Sequence, residues 1–239
     1  MTLSILIPAY NEQKTIYELL GKVVGFVRSE NPVTAEIVVV NDASVDNTVS
    51  EVERFKNDNK DIDLLLVSQE YNQGKGVAIR KALEVAKGDI FVVQDADLEY
   101  DPQDFSEMLP YILSGEYQVV FGSRFLNHKN KHSYHSFYLG GRLVSITANV
   151  LYGLHLTDEP TCYKMFTREV NEKIHLRCEG FEFCPELTAK VARLGYEIQE
   201  VPIHYYPRSI AEGKKIKWTD GVEAIWTLLK YRFTKKSKL

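Results

Sequence analysis

Cysteine is scarce in this chain: three residues, Cys162, Cys178 and Cys184, an odd number without Cys-x-x-Cys spacing. That excludes a disulfide scaffold and a four-cysteine zinc site, and points to reduced thiols in a cytosolic setting. No apolar run is long enough to span a bilayer, so the chain is not expected to cross a membrane unaided. No basic stretch followed by an apolar core opens the sequence, so no signal peptide is expected. Several signatures are missing as well. There is no GxGxxG after the first apolar run and no GxSxG elbow, which counts against dinucleotide binding and serine hydrolysis. His128, His132 and His135 fall in a loop rather than a helical metal frame, so a zinc site is not expected.

What is present is ordinary globular composition: 239 residues, 44% hydrophobic and 26% charged, which excludes disorder and allows a core needing no staple. The formal charge of −4 is unevenly placed. Tyr117 to Thr157 contains no acid but has Arg124, Lys129, Lys131 and Arg142. Arg208 to Leu239 carries nine basic residues against three acidic ones.

Short apolar runs alternate with helical periodicity through the first half. Leu3–Ile7, Glu36–Val40, Leu64–Val67 and Ile90–Val93 read as buried strands. Between them Ile16 to Val27, Val49 to Phe55 and Ala78 to Ala86 repeat at helical spacing, with Asp46 as a helix cap. This rhythm predicts a mostly parallel sheet flanked by helices, with ligands beyond the carboxyl ends of the strands. Further on, Val119–Phe121 and Ile198–Ile203 read as strands and Phe181–Leu194 as a helix. Asp220 to Phe233 places Val222, Ile225, Trp226, Leu229 and Phe233 on one helical face. One domain, 1–207, is expected, with 208–239 as a basic amphipathic C-terminal appendage.

Polar and acidic residues follow the strands. Asp95 and Asp97 alternate on an extended chain, so both carboxylates can address one hard cation, and Glu99 is placed to join them. Asp42 follows the second strand, where a carboxylate can accept hydrogen bonds from a base or ribose; Glu12 is a nucleotide contact or a first-turn acid. Gln73-Gly74-Lys75-Gly76 opens a helix, a place that binds anions, although Gly76 stands where a P-loop has Ser or Thr. Arg124, Arg208, Lys214 and Lys215 are candidates to neutralise phosphates.

Together the segments ILIPAYNE, VVVNDASVDNT, NQGKGVAIRKAL and VVQDADLEYDP, extended by FGSRF and PRSIAEGKKIKW, resemble glycosyltransferase family 2 enzymes of the GT-A fold. The resemblance is closest to dolichyl- or polyprenyl-phosphate sugar synthases. It implies that Asp42 binds the nucleotide base, with Pro8, Tyr10 and Glu12 lining the nucleoside pocket. It further implies that Asp95 and Asp97 hold Mg²⁺ or Mn²⁺ on the sugar-nucleotide diphosphate, with Glu99 where the synthases commonly have Gln, and that Arg124 and Arg208 face phosphates. Two departures stand out. Asn41 replaces the first acid of the family's Asp-Asp pair, and Asp158-Glu159-Pro160-Thr161-Cys162-Tyr163 replaces the usual Ser-Gly-Phe.

The expected activity is metal-dependent, inverting transfer of a hexose from a UDP- or GDP-sugar, with a polyprenyl phosphate as the first-choice acceptor. A family 2 transferase acting on a sugar hydroxyl of a glycan or lipid-linked saccharide is the alternative. A hydroxyl acceptor needs a general base, for which Asp158, Glu159 and Glu182 are candidates. A nucleotidyltransferase, or a non-catalytic nucleotide-sugar-binding scaffold, is the alternative from another class. The basic, aromatic segments suggest peripheral contact with an anionic, cytoplasmic membrane face, or a homodimer interface. Nucleic acid is not expected as a partner.

Overall fold

The computed structural model of the chain describes residues 1–29, 33–131, 135–208 and 215–235, with the backbone alone at 135 and 136. Lys214, His132 and most of the segment 207–218 after Arg208 therefore lie outside the described residues, as does the His135 side chain.

The first half alternates as the periodicity predicts: β1 (Thr2–Ala9), α1 (Ile16–Arg28), β2 (Thr34–Asn41), α2 (Thr48–Asp58), β3 (Leu64–Ser68), α3 (Lys75–Val85) and β4 (Ile90–Val93). A short 3₁₀ turn and α4 (Phe105–Leu113) lead to β5 (Val119–Ser123), then α5 (His135–Tyr152), β6 (Lys164–Thr167) and α6 (Arg168–Lys173). α7 (Phe183–Leu194), β7 (Ile198–Pro202) and α8 (Trp218–Phe233) complete the order. The seven strands form one sheet in the order β3-β2-β1-β4-β6-β5-β7. All neighbours are parallel except β6, which is antiparallel to both β4 and β5.

The topology fixes where a ligand can bind. The chain steps outward from β1 to β3, then crosses back to lay β4 on the other side of β1. Right-handed crossovers then put α1 and α2 on one face and α3 on the other. α1 bridges its neighbours through edge-to-face rings, Tyr17 on Phe55 at 5.1 Å and Phe26 on Phe105 at 5.3 Å. The reversal between β1 and β4 is a switch point, and the loops at its carboxyl ends diverge to leave a crevice. β4, Ile-Phe-Val-Val, is buried at every position, as a strand covered on both faces must be.

α5, α7 and α8 form a second, smaller core through Val144, Ala148, Ala189, Ala224, Leu228 and Tyr231. α8 thus packs on the body of the protein, and Tyr152 donates its hydroxyl to the Leu228 carbonyl at 2.5 Å. Among the described residues no helix is long and apolar enough to cross a membrane. The three cysteines are unpaired and buried.

Candidate active site

A cavity of about 1090 Å³ opens at the switch point. The end of β1 and the residues following β1, β2 and β4 meet there: Pro8 from the strand, Tyr10 and Glu12 from the first loop, Asp42 from the second, and Asp95, Asp97 and Glu99 from the fourth. Lys75, Arg124, Arg208 and Lys215 line it too, so acids and bases from across the sequence share one space.

Two non-glycine residues beside the lining have left-handed backbone, Asn11 with φ 52° between Tyr10 and Glu12 and Ala43 with φ 56° after Asp42. Such conformations persist only where neighbours over-determine them. Here the Asn11 amide donates to Ser44 Oγ at 2.9 Å, and Asn11 Oδ1 accepts from the Val45 amide at 2.9 Å. Asp46 accepts from the amides of Thr48 and Gln13, tying the start of α2 to the same loop.

Asp42 is buried and accepts three hydrogen bonds, from Gln69 Nε2 at 2.7 Å and the amides of Gln73 and Gly74 at 2.7 and 2.8 Å. It thereby holds the loop into α3. The helix start itself is closed to anions, because the amides of Gly76 and Val77 donate to the Glu179 carbonyl at 2.9 and 3.3 Å. This corrects the sequence expectation of an anion site at Gln73–Gly76. The two glycines serve that close approach: a Cβ on Gly76 would lie 2.8 Å from the Cys178 carbonyl carbon, and one on Gly74 2.3 Å from the Glu179 oxygen.

Lys75 instead reaches Asp95, with 2.5 Å between Nζ and Oδ1. Burial disfavours both charges, yet each partner offsets it: Asp95 stays below the usual carboxylate range and Lys75 well above the usual lysine value. Asp97 behaves differently. Burial first, and the Asp95 charge second, push its carboxyl up to about 7, although Arg208 Nη2 stands 2.5 Å from Oδ2. Within the acidic loop, burial and the neighbouring Asp95 charge thus outweigh what Arg208 offers Asp97.

Arg208 gathers three acids: Asp97, Glu12 at 3.5 Å and Glu99 at 3.5 Å. Glu99 also accepts from the Tyr205 hydroxyl at 3.0 Å and the Arg208 amide at 2.9 Å. Lys215 Nζ bonds Glu12 Oε1 at 2.6 Å and the Tyr10 carbonyl at 2.5 Å, closing the ring of charges over the first loop.

Arg124 leaves the end of β5 and forks onto Asp158, Nε to Oδ2 and Nη2 to Oδ1, both at 2.7 Å. Asp158 is wholly buried, outside the cavity lining, and Glu200 on β7 fixes its backbone by accepting from its amide at 3.0 Å. Glu159 is also wholly buried, against Thr188 at 2.7 Å and Lys164 at 3.8 Å. Glu182 accepts from the amides of Glu179 and Gly180 at 2.6 and 2.8 Å and does not line the cavity.

Three contributors escaped the sequence reading. Tyr205 holds Glu99 and stacks under the Arg124 guanidinium at 5.1 Å. Phe181 lines the cavity beside Lys75, 5.5 Å from Nζ to the ring centre. Cys162 lies 3.4 Å from Lys75 Nζ. All three meet the site through tertiary contacts, which leave no local sequence signal.

A sheet with this switch point, and an acidic pair beyond β4 facing basic side chains, define a glycosyltransferase of the GT-A fold. The model of glycosyl transferase family 2 matches residues 4–175, and the chain belongs to that family. It is 30% identical to the dolichyl-phosphate beta-glucosyltransferase ALG5A of Trichomonas vaginalis over 95% of this chain and 72% of that one. The fold matches glucosyl-3-phosphoglycerate synthase from Mycobacterium tuberculosis in complex with UDP, with TM-score 0.74 and 21% identity over 97% of this chain and 80% of that one. The same synthase with Mn²⁺, UDP-glucose and phosphoglyceric acid gives TM-score 0.73 at 22% identity, over 97% and 79%.

Proposed function

We infer that the enzyme transfers glucose, with inversion, from UDP-glucose to a polyprenyl phosphate. The observation that carries this is the state of the carboxylates. Every acid lining the cavity among the described residues is engaged: Glu12 by Lys215, Asp42 by Gln73 and Gly74, Asp95 by Lys75, Asp97 by Arg208, Glu99 by Tyr205, and Asp220 by the Lys217 amide. The three candidate bases lie outside the cavity lining. A hydroxyl acceptor needs a base to take its proton. A lipid phosphate is already anionic and needs none, and the cavity offers it basic side chains instead. The dolichyl-phosphate glucosyltransferase relative and the UDP-glucose complex support the same choice of acceptor and donor.

Asp95 and Asp97 are hard oxygen donors, and the burial and Asp95 charge that raise the Asp97 carboxyl are offset by a divalent cation, so the pair fits Mg²⁺ or Mn²⁺ shared with a diphosphate. Related structures carry Mn²⁺ or Mg²⁺. Among the described residues no three acidic, histidine or cysteine side chains are arranged to hold a metal ion, so two carboxylates and the donor's phosphates are the proposed ligand set, with Glu99 holding Arg208. A bound cation supplies positive charge for the departing diphosphate.

In the transfer an acceptor phosphate oxygen attacks the anomeric carbon. The bond from that carbon to the diphosphate oxygen breaks, and UDP leaves with the electron pair. Arg124, held rigid by Asp158, and Arg208, held by Glu99, orient the phosphates and stabilise their charge. Pro8, Tyr10 and Asp42 border the nucleoside end; Lys75 keeps Asp95 ionised. Lys215 adds positive charge beside Glu12 and Tyr10. Residues 1–207 form the catalytic unit, and the segment from 208 onward contributes Arg208 and Lys215 to it. Because a polyprenyl phosphate resides in a bilayer, the enzyme works at a membrane face.

Incubating the protein with UDP- and GDP-sugars, Mn²⁺ and polyprenyl phosphate tests this. Nucleoside diphosphate release is expected with UDP-glucose and only with the lipid phosphate present. Release driven as well by sugar acceptors would favour the hydroxyl alternative.

A further inference from the structure

Half of the exposed large apolar side chains among the described residues belong to two helices, α5 and α8. On α5 they are Leu139, Leu143, Ile146 and Val150, spaced four, three and four apart, one helical stripe. On α8 they are Trp218, Val222, Trp226 and Phe233, again one stripe. Their exposure runs from 52% at Ile146 to 81% at Phe233. Each stripe lies opposite the face its helix packs inward: Val144 and Ala148 on α5, Ala224, Leu228 and Tyr231 on α8. Both helices also pack on Ala189 of α7, so they form one layer with an apolar outer side. A monomer in water rarely leaves such a patch uncovered.

Charge decides between the candidate occupants. Lys129 and Lys131 precede α5, Arg142 lies within it, and Lys230, Arg232 and Lys235 end α8, while 117–157 has no acid at all. The two acids of α8, Asp220 and Glu223, sit in its first turns. A second copy of this chain across a two-fold axis would set like charges against each other. An anionic lipid surface meets them with opposite charge. Both tryptophans of the chain are on the α8 stripe, and indole rings favour the bilayer interface. The surface also continues into the active site, since Trp218 of the stripe and Tyr138 and Gly141 of α5 line the cavity.

We propose that the outer side of the α5–α8 layer seats the enzyme on an anionic bilayer and turns the cavity toward the lipid headgroups. The proposal deepens the lipid-phosphate reading and rests on it for the orientation. Its test uses phosphatidylcholine vesicles with and without phosphatidylglycerol. The wild type should sediment with the anionic vesicles, with a blue-shifted tryptophan emission that brominated lipid quenches. A variant combining Ile146→Glu, Val150→Glu, Trp226→Glu and Phe233→Glu should lose about tenfold or more in partitioning. It should keep wild-type transfer to a short, water-soluble isoprenyl phosphate. Should that variant fail to fold, Lys230→Glu with Arg232→Glu should abolish the preference for anionic vesicles. Wild type absent from both vesicles, equal binding by the variants, or a dimer in light scattering that the apolar variant dissociates would overturn the proposal. Vesicle binding without transfer to any isoprenyl phosphate would support the surface and count against the acceptor reading alone.

Discussion

Asp158 holds Arg124 at two points, 2.7 Å each, from a position without solvent exposure. A buried carboxylate matched to a guanidinium in this way sets the direction of the arginine. Asp158→Asn is therefore expected to act through Arg124. Breaking one side of a buried pair costs about 3–5 kcal/mol, read as a lower unfolding midpoint. kcat/KM should fall at every pH while the acidic limb of the pH profile keeps its shape. Disappearance of that limb would mark Asp158 as a base instead.

Asp97 is expected to make the metal-free protein pH-sensitive. Burial and the Asp95 charge push its folded carboxyl up to about 7, above the ordinary aspartate value, so folding favours the protonated form. Its contribution is fully present at low pH and is lost as pH rises through about 7. In EDTA, Asp97→Asn should raise the melting temperature at pH 8, by about 2–4 °C per kcal/mol relieved, and leave it unchanged at pH 4. Mn²⁺ should raise the wild-type midpoint and leave the variant's unmoved.

Gly76→Ala would place a methyl group 2.8 Å from the Cys178 carbonyl carbon, and the neighbour is backbone that cannot swing away. Overpacking of this kind costs about 1–3 kcal/mol. Pushing loop 178–180 off α3 also displaces Phe181 from Lys75. The expected result is a lower midpoint together with a raised KM for the nucleotide sugar.

The first four strands were legible because parallel strands covered on both faces must be apolar throughout, as Ile90–Val93 is. The catalytic edge followed from them, since polar residues after such strands converge at the carboxyl ends. β6 was not legible: it has four residues, and Lys164 begins it, a lysine buried beneath Phe121 at 3.4 Å from Nζ to the ring centre. Pairings escaped for a different reason. Lys75 choosing Asp95, Arg124 choosing Asp158, and the Glu179 carbonyl closing the start of α3 depend on groups 20, 34 and more than 100 positions apart. Local pattern carries no information about such contacts.

Tyr205→Phe removes one hydrogen bond from Glu99 and leaves the Arg208 amide as a partner. A bond to a charged group is worth about 1.5–3 kcal/mol. Activity should fall about tenfold or more, with binding of UDP to the metal-free protein unchanged.

The most direct measurement is mass spectrometry of the lipid product from UDP-glucose, polyprenyl phosphate and Mn²⁺, with Asp97→Ala run in parallel. A β-linked glucosyl phospholipid made by the wild type and lost with the variant is the predicted result. Undiminished product from Asp97→Ala, or glucose found on a sugar hydroxyl with none on the lipid phosphate, would contradict it.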